Sequence, residues 1–445
     1  MTFSSSDTER HKPSVSPATY QRRGRGASPA SAAVALLSWT FPRIGPLKFT
    51  EVLALLSVPQ ALSSSRTLQR MMSCYGPFLL GTLLAGLVAM LTLGDGDNSI
   101  TSEKGLYSSP ALTTVMTLVR TFTYVMVVAS ITHFFRLASE ATVQRSLNWS
   151  YLLMLIPGFL QMFRMYSGIY FDLPYFERPG LGPFSGVFDA GYLRLMGFEF
   201  EPLGYGTSLM IGCCLRVYAR GTVPWMGMLV LGHTFSAGAF AALFIALALG
   251  FPNRLRRLLV PMYLLAFIAL CVTVSTYLDE LLETFLLVTS ISERINALGA
   301  CINMWMDYPF GVGAGLYGYF FNLYDKANLP ALQLDFYPNN DPAMFLATGG
   351  VLYLLAYLWI FYRVIAAARS RWLRIALVAL LVQSISSYML FNPAAVVVMS
   401  LALSGRLLTY PARRRRAKRS PIRRTSASHS RPSDALLLNR GATST

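Results

Sequence analysis

Four basic side chains stand in two polar stretches of an otherwise apolar chain: Arg178 and Arg194 in residues 167–203, and Arg294 and Lys326 in residues 279–341. A guanidinium group makes paired, charge-assisted hydrogen bonds to phosphate oxygens. Arg194 and Arg294 are therefore candidates for gripping a diphosphate. The alternative is local pairing, Arg194 with Glu199 or Glu201 and Arg294 with Glu293. Carboxylates accompany them. Glu201, Asp307, Asp335 and Asp341 are candidate general bases, able to take a proton from a hydroxyl. Tyr308, Tyr317, Tyr319, Phe320, Phe321 and Tyr324 form an aromatic group beside them. Sugar rings stack on such faces, and an aromatic belt at a membrane interface has the same composition.

These groups need elements to hold them. The chain has 445 residues, 54% apolar and 13% charged, where a soluble domain is about a quarter charged. Its apolar residues gather in blocks close to the roughly 20 that span a hydrocarbon core. The clear blocks are 75–93, 111–132, 149–165, 260–277, 343–362, 375–390 and 394–408; 32–44, 49–62 and 205–217 are less clean. The expected class is all-α, a polytopic membrane protein. Residues 1–31 read as a disordered tail, 32–410 as the transmembrane domain and 411–445 as a basic disordered tail.

Charge placement then orients the spans. The net charge is +17, and much of it lies at Arg413–Arg416, Lys418, Arg419, Arg423 and Arg424. Such a run after the last span reads as a cytoplasmic tail in contact with membrane lipid. No aromatic interleaving or nucleic-acid module accompanies it, so no nucleic-acid partner is expected. Walking backwards from that tail, Arg363–Arg374 fall inside, 279–341 outside, Arg254–Arg257 inside and 167–203 outside. Residues 223–249 then have both flanks inside, so one crossing fails on parity. Two short helices meeting at Gly232–Gly238, or a re-entrant pair, restore it. The count is about twelve transmembrane helices with both termini cytoplasmic, and 279–341 forms a helical extracytoplasmic cap.

Inside that cap, Ile291, Ile295, Leu298, Ile302 and Trp305 recur at helical spacing, giving a face for the membrane or for neighbouring helices. Asp307-Tyr308-Pro309 stops the helix. Gly311, Gly313 and Gly315 permit tight turns and a close approach to another surface. His233 lies in the broken segment and reads as a packed intramembrane histidine; none of the four histidines falls in an outside stretch. The five cysteines show no metal-ligand spacing and no disulfide framework. With no P-loop, dinucleotide fingerprint or clustered ligands, neither metal nor cofactor is expected.

Four motifs, in order, resemble the O-antigen polymerase and O-antigen ligase superfamily of bacterial inner-membrane glycosyltransferases, across residues 32–408. They are Arg194 followed by Gly197, Pro202 and Gly204; Thr234-Phe235-Ser236-Ala237-Gly238; Arg294 followed by Pro309, Gly311 and Gly313; and Asn339-Asn340-Asp341 leading to Gly349-Gly350. Ala237 stands where the family usually has arginine. Pro338 or Asn339 stands where ligases usually place a histidine, which favours the polymerase branch. The resemblance implies inverting, metal-independent transfer from an undecaprenyl-diphosphate-linked glycan at the outer leaflet. Arg194 and Arg294 would hold the diphosphate, and Asn340, Asp341 and Glu201 would orient or deprotonate the acceptor. Asn339, Tyr308 and Tyr317 would bind sugar. Chain-length-regulator or export proteins are the expected partners. A ligase moving finished polymer to lipid or protein, or a transporter of polysaccharide or lipid-linked sugar, is the alternative.

Overall fold

The computed structural model describes residues 28–36, 43–44, 47–93, 110–167, 187–189, 192–194, 202–234, 236–250, 287–324, 340–385 and 389–408. The span expected at 260–277 lies outside these residues, as does the tail 409–445, which forms a separate unit. The described chain is helical, with two short antiparallel ladders, β1 (Arg43–Ile44) with β2 (Leu47–Lys48) and β3 (Val187–Asp189) with β4 (Tyr192–Arg194).

Among the described residues, three helices are long and apolar enough to cross a membrane: α4 (Ser65–Leu93), α5 (Pro110–Leu137) and α12 (Asp341–Ala367). Their outward surfaces support that reading. Leu80, Leu83, Leu84, Leu87 and Leu91 on α4, and Val351, Leu352 and Leu355 on α12, are all exposed. In water such surface is an association site; in lipid it is solvated. The inward faces carry aromatics. Phe78 stacks on Tyr353 with centroids 5.1 Å apart, and Phe345 stacks on Tyr357 at 4.8 Å.

The front of the chain departs from expectation. Residues 32–44 and 49–62 were expected as two short spans. Instead α1 covers Pro29–Ala35, and the second stretch divides into α2 (Phe49–Leu55) and α3 (Val58–Leu62). At 1.5 Å per residue none of these reaches across a hydrocarbon core. Pro59 opens α3, in the first turn, where its missing N–H leaves no helical bond unmade.

The remaining helices are α6 (Glu140–Ser167), α7 (Pro202–Arg220), α8 (Trp225–Gly232), α9 (Ala237–Gly250), α10 (Leu287–Asp307), α11 (Tyr317–Tyr324), α13 (Arg371–Ser384) and α14 (Pro393–Ser404). Residues 223–249 are indeed two helices, α8 and α9, parted at 233–236.

Contacts sort the helix ends into two sets. At one end Arg70, in the first turns of α4, donates through Nη1 to Leu403 O at 2.8 Å and Ser404 O at 3.0 Å, closing the C-terminus of α14. Arg406 donates to the carbonyls of Phe135 and Ala138 where α5 ends and α6 begins. Arg374 donates through Nε to Ala368 O at 2.8 Å, just past α12. Each guanidinium meets free carbonyls at the negative end of a helix dipole. The candidate site begins at the other end of α14, about 18 Å away along that helix.

Candidate functional site

Helix α12 is broken at Gly349 and Gly350, whose backbone angles are not helical. A break strands the preceding carbonyls, which in lipid must find donors within the protein. The glycine loop after α10 supplies them. Val312 N donates to Ala347 O at 2.9 Å, Gly313 N to Thr348 O at 2.9 Å and Ala314 N to Ala85 O at 2.9 Å. Two glycines make that approach possible. Gly350 has φ +67°, and a Cβ there would lie 2.4 Å from Pro309 O; Gly311 has φ +86°, and its Cβ would lie 2.3 Å from Gly349 N. The surface that the glycine-rich stretch approaches is therefore the kinked backbone of α12.

Around this joint lies a second, small-residue core. Ala297, Ala300, Cys301 and Met304 of α10 are buried with Val312, Leu316, Phe321, Ala343 and Ala347. Leu298 and Ile302, on the stripe expected from periodicity, are instead 38% and 40% exposed, and Trp305 is half-buried. Small residues let helix backbones approach, and the bulky stripe is left to an apolar surround. Burial pushes the Cys301 thiol up to about 12, so it stays neutral. Its Sγ donates weakly to Tyr317 Oη at 3.6 Å.

The sequence-derived residues fare differently. Tyr317 is 4% exposed and tilted against Phe321, so it cannot serve as a sugar platform; that expectation is corrected, and the ring belongs to the core. Tyr308 is 37% exposed and packs edge-on to Phe320 at 5.2 Å. Asp307 accepts a 2.6 Å hydrogen bond from Tyr324 Oη, whose phenol burial and the carboxylate push up to about 12. Asn340 caps α12, its Oδ1 accepting from Ala343 N at 2.9 Å. Asp341 is fully buried. Its Oδ2 accepts from Met389 N and Leu390 N, both at 2.9 Å, while Oδ1 has no hydrogen-bond partner. In this arrangement Asp341 is closed to solvent and ties the start of α12 to the amides of Met389 and Leu390. Arg194 ends β4, in register with Val187, and Arg294 lies within α10. The side chains of both, and all of Glu201, Asn339 and Asp335, lie outside the described residues.

Residues 389–392, the turn between α13 and α14, form a hub. Beyond the two amides held by Asp341, Asn392 exchanges 3.4 Å contacts with Ser208 on α7 and caps α14 through Ala394 N. Phe391 lies under the guanidinium of Arg120, 5.6 Å from its ring centroid. Thus the helices that follow the two polar stretches, α7 and α12, are tied to one turn. No protein-family model matches the chain, and no curated protein matches it. The geometry alone therefore defines the site.

Two groups at this end escaped the sequence reading. Arg120 stands inside the long apolar helix α5, and Glu51 lines a small cleft with Tyr124 and Phe391. A lone arginine in an apolar run is costly enough to have been a signal. His233 is the other surprise. Expected as a packed histidine, it is partly exposed at the α8–α9 break with both ring nitrogens hydrogen-bonded, one of them to Tyr166 at the end of α6.

Proposed function

We propose that the protein is a membrane glycosyltransferase that joins lipid-diphosphate-linked oligosaccharide units into a surface polysaccharide. The reading places it in a bacterial inner membrane, with about twelve spans by charge bias, both termini cytoplasmic and the α10–α11 region capping the exterior face. The arginine-capped end would be cytoplasmic, and the joint between the 311–315 loop and α12 would face the outer leaflet.

One observation carries it. The 168–201 and 325–339 connections run directly into α7 and α12, and both helices are pinned to the same turn by Ser208–Asn392 and Asp341–Leu390. Residues delivered by those two stretches can meet over one substrate. The chemistry then asks little of the chain. Polyprenyl diphosphate leaves with its charge already in place, so on the leaving-group side positioning and cationic stabilisation of the departing oxygens suffice. Arg194 and Arg294 would hold the diphosphate; Glu201, Asn339 and Asn340 would face the acceptor, with Asp341 fixing the helix that presents them.

The test is extension of a synthetic polyprenyl-diphosphate oligosaccharide by the full chain in lipid vesicles. The expected product is a ladder of repeat-unit multiples, lost in Arg294→Ala with the protein still present in the membrane. A single transfer to lipid or protein acceptor without a ladder would indicate the ligase branch. Labelling of a cysteine at position 294 from the cytosolic side would overturn the proposal.

A further inference from the structure

His233, Thr234 and Ser236 lie at the break between α8 and α9. Thr234 and Ser236 are buried, and the turn presses on α7 so closely that a Cβ on Gly206 would lie 2.9 Å from Ser236 Cβ. Thr234 Oγ1 donates to Leu231 O at 2.7 Å, which fixes the last turn of α8. The ring of His233 projects from this anchored segment with both nitrogens engaged. Nδ1 lies 2.9 Å from Leu229 O. A carbonyl only accepts, so Nδ1 carries the hydrogen. That leaves Nε2 with a free lone pair, and it accepts from Tyr166 Oη at 2.8 Å. Tyr166 is 69% exposed, so a hydroxyl from outside can take its place.

Location adds to orientation. Tyr166 is the penultimate residue of α6, and Gly206 is the fifth of α7. The ring therefore stands at the mouth of the 168–201 connection, which carries Arg194 and Glu201. The other described histidine, His133, lies near the opposite end, with Nδ1 3.3 Å from Thr67 Oγ1. The titratable group that faces His233 among the described side chains is Tyr166. Helix α8 carries no charged residue, and Tyr205 on α7 points its hydroxyl to Met154 O at 2.8 Å.

We propose that His233 is a catalytic general base, acting through Nε2 on the acceptor sugar hydroxyl. The proposal rests on the glycosyl-transfer reading above. The acceptor O–H replaces Tyr166 on Nε2. As its oxygen bonds the anomeric carbon, its proton passes to Nε2, and the bond from that carbon to the diphosphate oxygen breaks with its electron pair leaving on the diphosphate. The imidazolium then returns the proton to water. A carbonyl-oriented imidazole is suited to this work because the tautomer is set before substrate arrives.

The experiment uses the full chain in vesicles with the synthetic lipid-diphosphate oligosaccharide. His233→Asn keeps an N–H for Leu229 O but supplies no base. Expected is a loss in kcat on the order of 10²–10⁴-fold with donor KM unchanged, and recovery of His233→Gly by added imidazole. An unimpaired His233→Asn, or a folded His233→Gly that imidazole does not restore, overturns the base while leaving the glycosyltransferase intact. A wild-type protein that never extends the donor overturns the proposed function, and the base with it.

Discussion

The two ends of the bundle solve the same problem by different means. At the arginine-capped end, free carbonyls at helix C-termini are met by long side chains: Arg70 for α14, Arg406 for α5 and Arg374 for α12. At the other end backbone meets backbone, the glycine loop of 311–315 donating into the break of α12, and a short buried carboxylate, Asp341, holds two amides of the 389–392 turn. A flexible guanidinium tolerates a neighbour's movement of an ångström; two glycine backbones in contact do not. The first arrangement secures helix ends whatever their sequence. The second fixes a geometry, as expected where two loops must deliver groups to one substrate.

Substitutions can break or sharpen that contrast. The largest loss is expected for Gly350→Ala, where a side chain meets both a positive φ and Pro309 O; about 4 kcal/mol or more is the anticipated cost. Thermal unfolding in detergent should show little folded protein, and a variant that unfolds like the wild type would end the account of the joint. Asp341→Ala leaves two buried amides unpaired and should cost about 2–4 kcal/mol. Asp341→Asn keeps one acceptor oxygen and should lose less, so an Asn variant as damaged as Ala would assign the carboxylate a role in charge rather than in position. Arg406→Ala, at the opposite end, should cost only about 1 kcal/mol, because water can replace a donor at a helix terminus. Should its melting point fall further than that of Asp341→Ala, the ranking of the two ends is reversed. Tyr324→Phe removes the bond to Asp307 at a partly exposed site and should cost about 0.5–1 kcal/mol, measured the same way.

Much of the helical plan was legible from apolar runs, because a segment that must satisfy its own backbone in lipid has few options. The blocks at 75–93, 111–132 and 149–165 correspond to α4, α5 and α6, each extended at its ends by polar residues that a hydropathy window discards. The block at 375–390 shows the limit. Its helix ends at Ser384, and beyond it the amides of Met389 and Leu390 go to Asp341, far off in sequence. The break in 223–249 followed from charge parity, yet nothing in that reasoning turned His233 toward Tyr166. On α10, periodicity found the helix and left open which surface its bulky stripe would meet. Leu298 and Ile302 lie outward because Ala297, Ala300 and Cys301 let the helix approach its neighbours more closely on the other side.

Composition by itself determined that the chain is helical with segments long and apolar enough to cross a membrane, since hydrophobic length is a property of short segments. The tertiary structure alone decided that Tyr317 is core, that Asp341 is a tie and that α7 and α12 share one turn. Those outcomes depend on which distant backbone atoms come within hydrogen-bond reach, and that is settled only when the helices pack.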